Sequence, residues 1–306
     1  MKHLNQYKNE NFNSKLLTSY ITEYIVKKKL NRPIDSSGYT YHPINREKLI
    51  HTIELLLEDN KTDFNCIDTS EITDMSNLFN DVNGIKKLNF DVSGWNVSNV
   101  ENMSNMFSGC EYFDCDLSEW NVSNVENMSN MFYKCDDFTG KGLENWNVSN
   151  VKYMDHMFDW CMKFDCDLSG WNVSNAKNMD HMFNCCTLFA GKGLENWNVS
   201  NVTNMQGMFV SCKTLNCDLS GWNVSNVKDT RDMFSNCINF DCDLSNWDVS
   251  KVTNMGYMFA DCKKFKGKDL DKWNPVNVKN VRVMFGGCDM QDKPKWYYDK
   301  YYKKKK

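Results

Sequence analysis

The sequence predicts an α/β chain: a solenoid of about nine 25/26-residue coils, with short parallel strands, helices on the convex side and a helical N-terminal cap. Two observations predict it. Tryptophan recurs at Trp95, Trp120, Trp146, Trp171, Trp197, Trp222, Trp247 and Trp273, in steps of 25, 26, 25, 26, 25, 25 and 26 residues, and a period of this size marks a stacked array. Within each period the apolar spacing then switches from two to about 3.6, the change expected where a strand gives way to a helix. A degenerate earlier copy, "IDTSEITDMSNLF" at 67–79, puts Ile67 in the tryptophan position and adds a ninth coil.

Each element follows from one coil, "DLSEWNVSNVENMSNMFYKC". Leu117, Trp120 and Val122 have the L-x-x-L-x-L spacing of a leucine-rich-repeat strand, so the expectation is a leucine-rich-repeat-like solenoid with Trp120 and Val122 on one face. Val125, Met128, Met131, Phe132 and Cys135 wind one stripe around a helix. Ser98 with Glu101 and Ser123 with Glu126 form S-x-x-E capping boxes, which makes these serines N-caps rather than nucleophiles. The asparagines after tryptophan, such as Asn96 and Asn121, read as side-chain amides bonded along the stack. The closing turn alternates between "FDCDLSGW" and a longer form, "FTGKGLENW", in which Gly140, Gly191 or Gly267 replaces the cysteine where the chain must bulge. The G-K-G in it lacks the frame of a phosphate loop.

The chain divides into an N-terminal helical segment over 1–40, a capping helix over 41–66, the repeats over 67–288 and a basic aromatic tail over 289–306. In the first segment Leu16, Leu17, Tyr20, Ile21, Tyr24 and Ile25 form a stripe suited to docking. Pro275, in the valine position of the last strand, is expected to stop further pairing. The tail "KPKWYYDKYYKKKK" is expected to be solvated, with at most weak contact to nucleic acid, anionic lipid or an acidic protein.

Bulk properties narrow the function classes. A net charge of -4 gives no polyanion-binding signature, and no run reaches the ~18 apolar residues of a membrane span. The polar start lacks the apolar stretch of an export signal, so the expectation is an intracellular or virion-associated chain rather than a secreted one. Fourteen cysteines at fixed positions in an unsignalled chain read as reduced, buried thiols, since one thiol per coil does not assemble a four-ligand zinc site.

The iterated "WNVSNVxNMxxMFxxC", with "IDTSEITDMSNLF" before it, resembles the BspA-type leucine-rich-repeat family over about 67–288. That family is a repeat domain of unknown function found in bacterial surface lipoproteins and giant DNA viruses. The resemblance implies adhesion or protein recognition and supplies no catalytic residues; the chain lacks the lipobox of the surface members.

Where the copies differ is where a site is expected. His156 and Trp160 in one coil, His181 and Cys185 in the next, share two positions and form an outer patch flanked by Asp155 and Asp180. It offers a metal two imidazoles and a thiol, or a protein partner an exposed tryptophan. The partner reading is preferred, with no metal, cofactor or catalysis expected. The chain then reads as a non-catalytic scaffold for protein–protein recognition, at a virus–host or cell-surface contact; the alternative is a structural component of a virion or surface layer.

Overall fold

The structure, a computed structural model, describes residues 38–80 and 82–302. The stripe expected from Leu16 to Ile25 lies outside the described residues. Helix α1 (Arg46–Glu58) comes first, then 3-10 turns at Ile85–Lys87, Leu143–Asn145, Leu194–Asn196 and Leu270–Lys272, and last helix α2 (Lys295–Tyr302). Among the described residues there is no β-strand, and no α-helix lies inside a repeat, which overturns the α/β solenoid of parallel strands and convex helices. The repeats are successive turns joined by isolated parallel bridges, such as Asn102 to Asn127, Asn127 to Tyr153 and Tyr153 to Asn178.

The backbone bonds explain the difference. The amides of Met103, Asn105, Phe107 and Gly109 donate to the carbonyls of Asn127, Ser129, Met131 and Tyr133 in the next repeat, at 2.7–2.9 Å. The intervening amides of Met106, Ser108 and Cys110 close tight turns on Met103, Asn105 and Phe107. An α-helix is ~10 Å across, about twice the ~4.8 Å between hydrogen-bonded chains, so a segment that bonds its neighbour at every second amide has no room to be helical. Two residues per repeat also adopt left-handed backbone, for example Asn105 at φ 56° and Gly109 at φ 77°, and such residues do not propagate a right-handed helix. The tryptophan segment is no strand either, because the Trp120 amide closes a turn on the Leu117 carbonyl.

Polar side chains complete these turns. Asn96 and Asn121 do not bond along the stack; each accepts from the amide two residues on, at Ser98 and Ser123. Those serines therefore cap no helix. Asn99, Asn124 and Asn150 join the repeats instead, donating to the carbonyls of Ser70, Ser98 and Ser123 at 2.7–2.8 Å.

The apolar residues fill one continuous core. Trp171, Trp197, Trp222, Trp247 and Trp273 stack with centroids 6.3–6.5 Å apart and planes within 3°. Each buried indole N–H donates to a carbonyl of an earlier repeat, as Trp171 does to Leu143 at 2.8 Å; an unpaired buried donor would cost ~1–3 kcal/mol. All fourteen cysteines are free thiols. Those on the core column from Cys135 onward donate likewise, Cys161 to the Phe132 carbonyl at 2.9 Å and Cys186 to that of Phe158 at 3.0 Å. Burial pushes the Cys110 thiol up to about 12.

The two ends differ in construction. Asn45 accepts from the Lys48 amide to start α1, and Leu49, Ile53 and Leu56 enter the core over the first repeat. At the other end, the repeat that carries Pro275 is the last among the described residues. Its Pro275 carbonyl accepts from the Val278 amide as Val122 accepts from Val125, and the bridge from Asn254 to Asn280 joins it to the repeat before. Closure comes from the tail, which is docked rather than free at its start. Trp296 stacks on Trp273 at 6.1 Å, its indole donates to the Leu270 carbonyl at 2.8 Å, and Tyr297 packs on Phe285. Neither α1 nor α2 is long and apolar enough to cross a membrane.

The glycines of the longer closing turn are explained by contact. Gly142, at φ +90°, lies so near Ser118 that an added Cβ would fall 2.2 Å from its amide nitrogen. Gly142→Ala is therefore expected to lower stability by about 2 kcal/mol or more. Val283, β-branched at φ 53°, occupies a left-handed position that Asn105 and Asn130 fill elsewhere. Val283→Asn should raise stability by about 1 kcal/mol. Urea midpoints of the two variants check both directions.

Candidate functional site

The two left-handed positions of each repeat carry the divergent residues. From the Trp95 repeat onward the first holds Asn105, Asn130, His156, His181, Gly207, Asp232, Tyr257 and Val283; the second holds Gly109, Lys134, Trp160, Cys185, Ser211, Asn236, Asp261 and Gly287. Asparagine and glycine tolerate this backbone, whereas other side chains are held there at a cost of ~1–2 kcal/mol. The sequence-predicted patch occupies these positions in two adjacent repeats. Turn geometry places it on the outside, not the face of a helix.

The structure brings the two histidines together. Their rings stack in parallel, with centroids 4.9 Å apart and planes 1° from parallel. His156 Nδ1 lies 2.8 Å from Asp159 Oδ2, and its Nε2 is 3.9 Å from Asp180 Oδ2. His181 Nδ1 lies 2.6 Å from Asp180 Oδ1. His156, Asp180 and His181 each offer a donor atom within 4.8 Å of the others. Asp155 is engaged elsewhere, accepting from the Ser129 hydroxyl at 2.9 Å.

Trp160 and Cys185 lie beside this group rather than in it. Trp160 is 43% exposed. The half-buried Cys185 thiol lies 3.4 Å from Asn184 Oδ1, and burial raises its pKa. The metal set of two imidazoles and a thiol is thus not what the fold assembles. The third member is a carboxylate.

Two residues escaped the sequence reading. Asp159 is only 4% exposed and is fixed from behind by Asn184 Nδ2, 2.7 Å from its Oδ1. Its signal was visible, because it is the one acid where other repeats have Ser108, Tyr133, Asn184, Val210, Ser235 and Ala260. Gly207 gives His181 its space, since a Cβ there would fall 2.5 Å from the imidazole Nε2.

Three tandem stretches, 51–142, 140–192 and 186–297, match the family model described as "Mycoplasma protein of unknown function, DUF285". The chain belongs to this family. It is a repeat protein, and the DUF285 matches extend from within α1 into α2, including every residue of the histidine cluster. No curated protein and no solved structure gave a match.

Electrostatics in this DUF285 chain favour a charged His156. The hydrogen bond to Asp159 raises its pKa above the ordinary 6.5, desolvation opposes this, and the charges of Asp159, Asp180 and Asp155 add to the rise. A folded pKa above the unfolded one contributes stability that is fully present below pH ~6.5 and lost as pH rises through the folded value. His156→Asn removes that contribution while keeping a residue suited to left-handed backbone. The stability of wild type relative to His156→Asn should therefore be greater near about pH 5.5 than near about pH 8.5. Urea midpoints at the two pH values check it, and an unchanged difference would refute the charge assignment.

Proposed function

We propose that the chain is a non-catalytic repeat scaffold that recognises another protein through the outer face around Trp160. The observation that carries this reading is a local break in surface chemistry. Trp160 and Met162 in one repeat, and Leu188 in the next, are 43%, 37% and 52% exposed. Most equivalent positions elsewhere are polar, among them Lys134, Ser211, Lys213, Lys263, Asp137 and Asn239, with Tyr112, Cys185, Ile238 and Met290 as exceptions, and none of the other repeats groups three such residues with the one after it. Exposed aromatic and aliphatic side chains grouped on a polar surface suit a partner's apolar anchor.

The resemblance of the W-N-V-S-N-V motif to the BspA-type repeats points the same way, because it implies adhesion or protein recognition. The reading requires no nucleic acid: Trp296 and Tyr297, the first aromatic residues of the basic tail, are engaged with the last repeat. Nor does it require catalysis.

Affinity purification with mass spectrometry on the full chain, comparing wild type with Trp160→Ala/Leu188→Ser, tests the proposal. A discrete protein retained by wild type and reduced at least about tenfold by the double variant is the expected result, the loss of ~1.4 kcal/mol or more that one anchor carries. Equal recovery of every partner would remove this surface as the recognition site. Co-purification with intact particles, insensitive to both substitutions, would favour the structural-component alternative.

A further inference from the structure

We propose that His156, Asp180 and His181 bind a single divalent transition-metal ion of the zinc class. His156 comes from one repeat and the adjacent Asp180 and His181 from the next, and the His156 amide donates to the Asp180 carbonyl at 2.7 Å, so the backbone ladder brings the three side chains together without any long-range fitting. Each contributes a donor within 4.8 Å of the others. The set is two imidazoles and one carboxylate, which suits zinc or cobalt and lacks the all-oxygen shell of calcium or magnesium.

Three details look like parts of such a site. His156 Nδ1 is engaged by Asp159 at 2.8 Å, which leaves Nε2 as the nitrogen offered forward; a carboxylate behind the ring is the usual support of a metal-bound histidine. Asp159 is in turn buried and held by Asn184, so this support is rigid. The offered Nε2 stands 3.9 Å from Asp180 Oδ2. That is too long for a hydrogen bond, yet near the ~3.3 Å separating two ligands placed ~2.0–2.1 Å from one tetrahedral ion. His181 Nδ1 stands 2.6 Å from Asp180 Oδ1, with its ring seated against Gly207. The ion takes the place of the proton between these two atoms, which is released to solvent, and the two donors move apart to the ~3.3 Å of two ligands on one ion. Solvent completes the coordination, because the side chains of His156 and His181 are 32% and 23% exposed.

This inference is independent of the partner reading. The test is calorimetric titration of the full chain with zinc chloride, repeated with cobalt chloride. One equivalent should bind to wild type, and the His156→Asn/His181→Asn double variant should bind at least 100-fold more weakly. Asparagine already occupies the same left-handed position at Asn105 and Asn130, so this variant should keep its fold, and its metal-free melting curve verifies that. Asp159→Asn should weaken binding ~10–100-fold through the orientation of His156. His42→Gln, at a histidine paired with Asp68 in the first repeat, and Trp160→Ala should bind as wild type. Lowering the pH through the imidazole range should weaken the wild-type interaction as protons compete. Absence of one-equivalent binding, or binding that survives the double histidine substitution through the many thiols, would overturn the proposal.

Discussion

Everything in this molecule depends on the amides that leave each turn and bond the next one. In the segment from Met103 to Gly109, every second N–H is committed across the stack and the others close turns within the repeat. Backbone donors buried in a core must be satisfied, and this division satisfies them without strand or helix. It also sets the distance at which side chains repeat. Phe132 lies 5.7 Å from Phe158 with planes 4° apart, and Phe158 lies 5.6 Å from Phe183. Tryptophan, phenylalanine and cysteine columns follow because identical residues at one register meet their own kind.

The same constraint decides which parts of the structure the sequence reveals. The period and the core are readable, since Trp120, Val122, Met128, Phe132 and Cys135 are all buried. The local backbone is not. Spacings of three, one and three between Met128, Met131, Phe132 and Cys135 fit a helical stripe and fit a run of three-residue turns equally well. What separates them is the left-handed backbone at Asn130 and Lys134; lysine hides that conformation, and asparagine only hints at it. The capping boxes misled for a related reason. Ser123 precedes a tight turn, and its amide already has the Asn121 side chain as partner.

The candidate site was partly legible on the same terms. His156 and His181 share a position one period apart, so any in-register stack makes them neighbours. Their support was harder to see. Asp159 lies at a position where the repeats vary among small, polar and aromatic residues, and only the structure shows that it is enclosed and aimed at His156. Gly207 contributes by lacking a side chain. The thiol of Cys185, prominent in the sequence, is turned to Asn184 instead.

The C-terminal helix α2 gives the fold a property that the repeats alone do not have. Trp296 presents to Trp273 what another repeat would present, an indole face and an N–H for the same class of carbonyl, but it does so from a helix that offers no further turn to copy. The repeats are interchangeable in their interior, while the starting cap and the stop are unique. Length can therefore change by whole rungs, through duplication or loss of one coding unit, without redesign of either end. A lineage with this architecture can place two variable surface positions at graded separations along a ruler whose smallest division is one turn of the stack.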